Sequence, residues 1–434
     1  MATESIKPPA QPVRRLGFGF TELDPAIRQT VLFLQAADGA QSSGILYEPP
    51  TDQTNNQASS CAYLMHPRGE FTRHYLVPGL TAHGIAVFGH NSRYLNNDTD
   101  MVHERLLFDI AAGLRALKER GFERIILIGN SGGGSLLSFY QAEASKLPGD
   151  RLTESPGGDP IDLTAEDMPE GDVFIGLAAH PGEGRFMLNV LDPSLTEESD
   201  PESYDKTWDM YHPDNGYRPW PGPSHYDPDW LTAYRDVQRE RSLRIDRIAR
   251  GYIEERELRR AVFDSGQFSE FDTDQQQRIR RGAHLYKHMI VYRTLANPWY
   301  LDPDIDPSPR ALGSIFSPGD PFIGNYGQWG LARIMTPRAW PSTWSGTASH
   351  ADLPATIRYV RIPSLIVYPE GDTDILPSEQ QLIFDACAAE DKTLFPLPHA
   401  DHYLFAAGEG SANQPDPRER ALDILVPWIK ERLS

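Results

Sequence analysis

Arg124-Ile125-Ile126-Leu127-Ile128-Gly129-Asn130-Ser131-Gly132-Gly133-Gly134-Ser135-Leu136 decides how the rest of the chain is read. Its first half is a continuous β-branched and leucine run, as expected of a strand buried on both faces. Its middle, Gly129-Asn130-Ser131-Gly132-Gly133, fits G-x-S-x-G. Beyond it Leu136, Leu137, Phe139 and Tyr140 recur at helical spacing. Strand, glycine turn and helix are the setting of a nucleophile elbow. The serine backbone is strained there, and neighbours without a Cβ let strand and helix approach. Ser131 Oγ is then expected to project above the sheet edge. The Gly132 N–H falls at a helix N-terminus, where a developing oxyanion is stabilised. The bland alternative is a Gly-Ser turn without chemistry, which the flanking strand and helix disfavour.

On these residues the chain resembles the α/β-hydrolase superfamily, in its esterase- and lipase-like serine form. The resemblance covers residues from about 30 to 182 and from about 356 to 434, and the segment between looks like an insertion. It implies an α/β fold with a mostly parallel eight-stranded sheet, helices on both faces and a helical cap domain. The expected division is an N-terminal arm over 1–20, hydrolase core over 21–182, a cap or lid insertion over 183–356, and the rest of the core over 357–434.

Composition sets the bounds. The 434 residues permit one large α/β domain with an insertion, or two domains. A net charge of −20 argues against nucleic acid or an anionic membrane as partner. Cys61 and Cys387 make no disulfide framework. No apolar run reaches membrane-spanning length, and Met1 to Arg15 has no signal-peptide core. The expectation is a soluble, cytoplasmic protein with a small-molecule substrate; a homodimer is left open.

Along the chain, Thr30–Gln35 and Ser43–Tyr47 flank Asp38-Gly39 as a hairpin. Asp52 to Ser60 is a polar loop, and Cys61–Met65 is the third strand. Thr72–His83 and Val102–Arg120 read as helices, the second with Leu106, Leu107, Ile110, Leu114 and Leu117 on one side. Gly84–Phe88 and Asp172–Ala178 read as further strands. His180 follows the last of these, at the sheet edge where ligands bind, as a pocket-lining or a structural residue. From Glu183 to about Thr356 the α/β rhythm stops. Asp229–Phe263 and Asp272–Ala296 are helical stretches. The remainder is rich in aromatics, among them Trp299, Phe316, Phe322, Tyr326, Trp329, Trp340 and Trp344, available to pack the cap or line a pocket. Ser364–Tyr368 and Thr393–Leu397 complete the strands, and Arg418–Leu433 is a closing helix.

A serine needs a base, and the base a third group to orient it. The resemblance implies the order Ser, acid, His, with the acid after the seventh strand and the histidine after the eighth. Glu370-Gly371-Asp372-Thr373-Asp374-Ile375-Leu376-Pro377 and His399-Ala400-Asp401-His402-Tyr403 occupy those places. Glu-Gly-Asp favours Asp372 as the acid, whereas counting back from Pro377 favours Asp374 as the alternative. Ala-Asp-His followed by an aromatic favours His402 over His399. The resemblance also implies a second oxyanion N–H from the loop after the third strand. That loop reads His66-Pro67-Arg68-Gly69, and Pro67 has no N–H. The donor would fall to Arg68 or Gly69, with Arg68 favoured, beside Gly132.

The reading that follows is a serine hydrolase acting on an ester, lactone or amide of a bulky apolar or aromatic molecule. Its alternatives are hydrolytic carbon–carbon cleavage by the same triad, and a non-catalytic ligand-binding homologue. No cofactor or metal is called for: His399, His402 and Asp401 lack any further ligand motif.

Overall fold

The computed structural model describes residues 19–20, 22–50, 60–317, 319–327 and 330–433. Apart from Gly19, Phe20 and Ser60, the expected N-terminal arm and the polar loop after Asp52 lie outside them, as does Trp329.

Unbroken apolar sequence puts strands in the middle of the sheet. β3 (Ser60–His66) is buried throughout, and β5 (Arg124–Asn130) everywhere but Arg124. β1 (Arg28–Gln35) and β2 (Gln41–Glu48) form the expected hairpin, closed where Gly39 takes φ 85°. With β4 (Ala86–Asn91), β6 (Val173–Leu177), β9 (Ser364–Pro369) and β10 (Lys392–Leu397), they make one eight-stranded sheet in the order β1-β2-β4-β3-β5-β6-β9-β10. β2 is antiparallel to both neighbours, and every other pairing is parallel. This is an α/β-hydrolase fold.

Strand alternation divides the core between the two faces. Cys61, Tyr63, Met65, Ile125 and Leu127 pack with α2 (His103–Glu119) and α3 (Gly132–Ala144). Ala62, Leu64, Ile126 and Ile128 pack with α1 (Val77–Ala82) and α10 (Pro417–Leu433). Each buried leucine, isoleucine or methionine among them contributes roughly 1.5–3 kcal/mol. α1 is shorter than the sequence suggested. Phe71 to Leu76 stay non-helical, where His74, Tyr75 and Leu76 are buried, and Pro78 enters only in the first turn.

Between Leu177 and Ser364 the chain leaves the sheet. α4 (Glu183–Val190) starts over the site. α5 (Pro228–Asp264) is capped by the Asp227 carboxylate, which accepts the N–H groups of Asp229 and Trp230. α6 (Thr273–His284) starts at an Asp272–Gln275 capping box. The helix expected over Asp272–Ala296 therefore ends at His284. Beyond it the chain is extended, and β7 (Met289–Ile290) pairs with β8 (Ile334–Met335). The apolar run there serves a strand, a helix–strand ambiguity common to short runs. α7 (Pro321–Tyr326) and α8 (Leu353–Thr356) are single turns, and α9 (Pro377–Ala386) follows β9. Among the described residues no helix is long and apolar enough to cross a membrane.

Candidate functional site

Ser131 holds φ 54°, ψ −126°, a backbone state a residue with a Cβ rarely adopts. Its neighbours explain how. A Cβ on Gly129 would stand 2.5 Å from Gly134 Cα, and one on Gly133 would stand 2.4 Å from the Met65 carbonyl oxygen. Both approaches demand glycine. The turn is clamped to β6: the Ser131 N–H and the Asn130 side-chain amide both donate to the Leu177 carbonyl, at 3.1 and 2.8 Å. Asn130 Oδ1 in turn meets His74 Nε2 at 3.1 Å. α3 begins at Gly132, so the Gly132 N–H has no acceptor inside the helix.

The loop after β9 carries Asp372, and the loop after β10 carries His402. Asp372 Oδ1 accepts the N–H groups of Asp374 and Ile375, at 2.9 and 3.2 Å. Its Oδ2 lies 2.7 Å from His402 Nδ1, and His402 Nε2 lies 3.0 Å from Ser131 Oγ. Carboxylate, imidazole and hydroxyl form one hydrogen-bonded line, with His402 and Asp372 almost wholly buried. Burial opposes charge on His402, but the adjacent Asp372 carboxylate outweighs it and raises the imidazole above its ordinary value. With Nδ1–H given to Asp372, neutral His402 turns an unprotonated Nε2 to Ser131.

The other candidates are placed elsewhere. Asp374 accepts from Tyr300 Oη at 2.9 Å, Ser314 Oγ at 2.7 Å, the Ile315 N–H at 2.8 Å and Thr373 Oγ1 at 2.7 Å. It ties the insertion to the end of the sheet and makes no bond to His402. Burial, then the nearby Asp372 charge, raise its carboxyl against these donors. His399 is partly exposed, in a left-handed turn (φ 53°).

Ser131 opens into a cavity of about 320 Å³ including its mouth. Phe186, Ile315, Phe316, Leu331 and Ile375 make an apolar wall; His66, Arg68, His180 and Glu183 make a polar one. The Arg68 guanidinium lies over the Trp344 ring, 5.0 Å from its centroid, and donates to Glu183 Oε1 at 2.5 Å. That ion pair holds the buried Glu183 well below the ordinary carboxylate range despite burial, which works the other way. His180 Nδ1 accepts the Gly182 N–H at 3.1 Å, and its Nε2 lies 3.7 Å from Glu183 Oε1. Trp340 and Trp344 are fully buried and pack the insertion: Trp340 Nε1 donates to Asp246, and Trp344 Nε1 to the Asp98 carbonyl.

The Arg68 N–H is not turned on Ser131. It and the Gly69 N–H both donate to His66 Nδ1, at 3.2 and 2.9 Å. In the sequence His66 stands only at the start of a loop, and Glu183, Ile315 and Leu331 carry no site signal. Position at the end of β3 was the available signal for His66. Nothing in the insertion's sequence marks which of its apolar residues face the cavity.

No family model matches the sequence, and no curated protein does. Solved structures overlap it in outline. An esterase domain from Rhodothermus marinus aligns at 13% identity and TM-score 0.41, over 93% of this chain and 99% of its own. The alpha/beta hydrolase GrgF from Penicillium aligns at 12% and 0.44, over 93% and 99%. A soluble variant of monoglyceride lipase from Saccharomyces cerevisiae aligns at 11% and 0.44, over 97% and 99%. At such values the likenesses say nothing of a substrate.

Proposed function

We propose that this protein is a serine hydrolase that cleaves an ester, lactone or amide of a small molecule bearing an apolar or aromatic group. The observation that carries the proposal is the unbroken line from Ser131 Oγ through His402 to Asp372, at 3.0 and 2.7 Å, opening into the cavity. Ser131 Oγ attacks the substrate carbonyl carbon while His402 Nε2 takes the hydroxyl proton. Asp372 stabilises the resulting imidazolium. The carbonyl oxygen becomes an oxyanion beside the Gly132 N–H at the start of α3. Collapse breaks the bond to the leaving group, which receives the proton from His402. Water, deprotonated by His402, then attacks the acyl-enzyme, and Ser131 leaves with the proton returned to it. In this proposal the insertion acts as a lid, and Phe186 and Phe316 receive the apolar part of the substrate.

A panel of aryl esters, lactones, aryl amides and β-diketones, run with wild type and Ser131→Ala, tests the proposal. Turnover of esters, lactones or amides that vanishes in Ser131→Ala supports it. Turnover confined to β-diketones would move the chemistry to carbon–carbon cleavage. Equal turnover by the two proteins would remove Ser131 from the mechanism.

A further inference from the structure

Resting on the hydrolase reading, we infer that the side chain of His66 supplies the second hydrogen bond to the oxyanion. A backbone N–H of the loop after β3 would otherwise fill that place. In this loop Pro67 has no N–H, and those of Arg68 and Gly69 point at the His66 ring. These three consecutive residues therefore offer the substrate no backbone N–H.

The same two bonds settle the tautomer of His66. A ring nitrogen that accepts two N–H groups carries no proton, so the neutral ring carries it on Nε2. Burial first, and then the Arg68 charge, hold the ring far below its ordinary pKa and hence neutral. Phe71 packs against the ring, centroids 5.2 Å apart, and resists its turning. His66 is 7% exposed, lines the cavity, and its Nε2–H has no hydrogen-bond partner among the described residues. The donor faces the cavity, where a ligand oxygen can meet it.

Nε2 also stands in the right place. It lies 2.8 Å from where a Cβ on Gly132 would be. That position is about 2.5 Å from the Gly132 nitrogen by ordinary backbone geometry, so the two nitrogens are at most about 5.3 Å apart. One oxygen can sit at about 2.9 Å from both. Of the neighbouring groups, Glu183 is held by Arg68 and is a carboxylate that can only accept, and His180 Nε2 faces that carboxylate at 3.7 Å, beyond hydrogen-bond length. A Cβ on Gly132 would meet all three heads within 3.0 Å, which accounts for glycine after the serine.

Two isosteric variants separate this role from loop support. In His66→Asn the side-chain carbonyl stands near the place of Nδ1 and keeps the loop N–H groups, but the donor is gone. In His66→Gln an amide NH₂ stands near the place of Nε2, but the loop acceptor is gone. The expected result is a kcat loss of about 10²- to 10³-fold in His66→Asn with KM nearly unchanged, the cost of one oxyanion donor. His66→Gln should recover at least tenfold of that loss. Wild-type kcat in His66→Asn, or a slower His66→Gln, would overturn the inference. Wild type alone gives a second test. Once a phosphonate is bonded to Ser131, the His66 Nε2–H resonance in ¹⁵N-edited spectra should move downfield. An adduct that leaves that resonance unmoved refutes the role of His66; no adduct at all refutes the hydrolase reading beneath it.

Discussion

Asp372→Asn is the substitution whose consequence the geometry specifies best. The two carboxylate oxygens of Asp372 have separate duties. Oδ1 holds the N–H groups of Asp374 and Ile375, at 2.9 and 3.2 Å, and Oδ2 receives His402 Nδ1 at 2.7 Å. An asparagine must keep its carbonyl on the two backbone donors, because reversal would set its NH₂ against them. Its NH₂ then faces His402 Nδ1, which can only accept. The ring proton moves to Nε2, the atom that should take the Ser131 proton. The variant is thus locked in the wrong tautomer and also loses the charge that stabilises imidazolium. The comparable substitution in a serine protease costs about 10⁴ in kcat, or about 5.5 kcal/mol of barrier. Asp374→Asn changes a carboxylate that anchors Tyr300, Ser314 and Ile315. It should cost about 1–3 kcal/mol of stability and less than about tenfold in kcat. Steady-state kinetics on an activated aryl ester, with thermal melting of each variant, checks both. A larger kcat loss in Asp374→Asn, from a folded protein, would refute the assignment of the acid.

Three other outcomes are expected. The base must be neutral to act, and Asp372 holds His402 above its ordinary value, so kcat/KM should fall on acidification with a midpoint above ~6.5; in the residual activity of Asp372→Asn the limb should move to lower pH, because the strongest charge opposing burial is then gone, with only Asp374 and Asp401 left to oppose it. Gly133→Ala would press a Cβ to 2.4 Å from the Met65 carbonyl, and should lower stability by about 1–3 kcal/mol and disturb the serine turn, as read by thermal melting beside wild type. Phe316→Ala removes part of the apolar wall and should raise KM for bulky aryl esters more than for acetyl esters, whereas equal effects would place the ring outside the substrate's reach.

Much of the sheet was legible because buried parallel strands carry long apolar runs, and β5 with its glycine turn is the strongest example. The positions of Asp372 and His402 after the last two strands followed from the chain order that the resemblance implies. Choosing between Asp372 and Asp374 did not. The two lie two residues apart and are equally buried, and they differ only in partners that distant segments bring. Asp374 meets Tyr300 and Ser314 from the insertion, contacts that no local spacing announces. The end of α6 at His284 was hidden for a related reason. Leu285, Met289 and Ile290 suit either a helix or a strand, and pairing with Ile334–Met335 decides it. Pro67 marks a missing backbone donor, but the substitute expected from Arg68 does not follow: its N–H is turned onto His66 Nδ1, a direction that depends on the fold.

The central claim, that Ser131 is an activated nucleophile, meets its most direct test in labelling with a fluorophosphonate at neutral pH, followed by peptide mass spectrometry. The expected result is a single stoichiometric adduct on the peptide containing Ser131, slowed by orders of magnitude in His402→Ala and absent from Ser131→Ala. A folded wild-type protein that takes no label, or one labelled equally after Ser131→Ala, would contradict it.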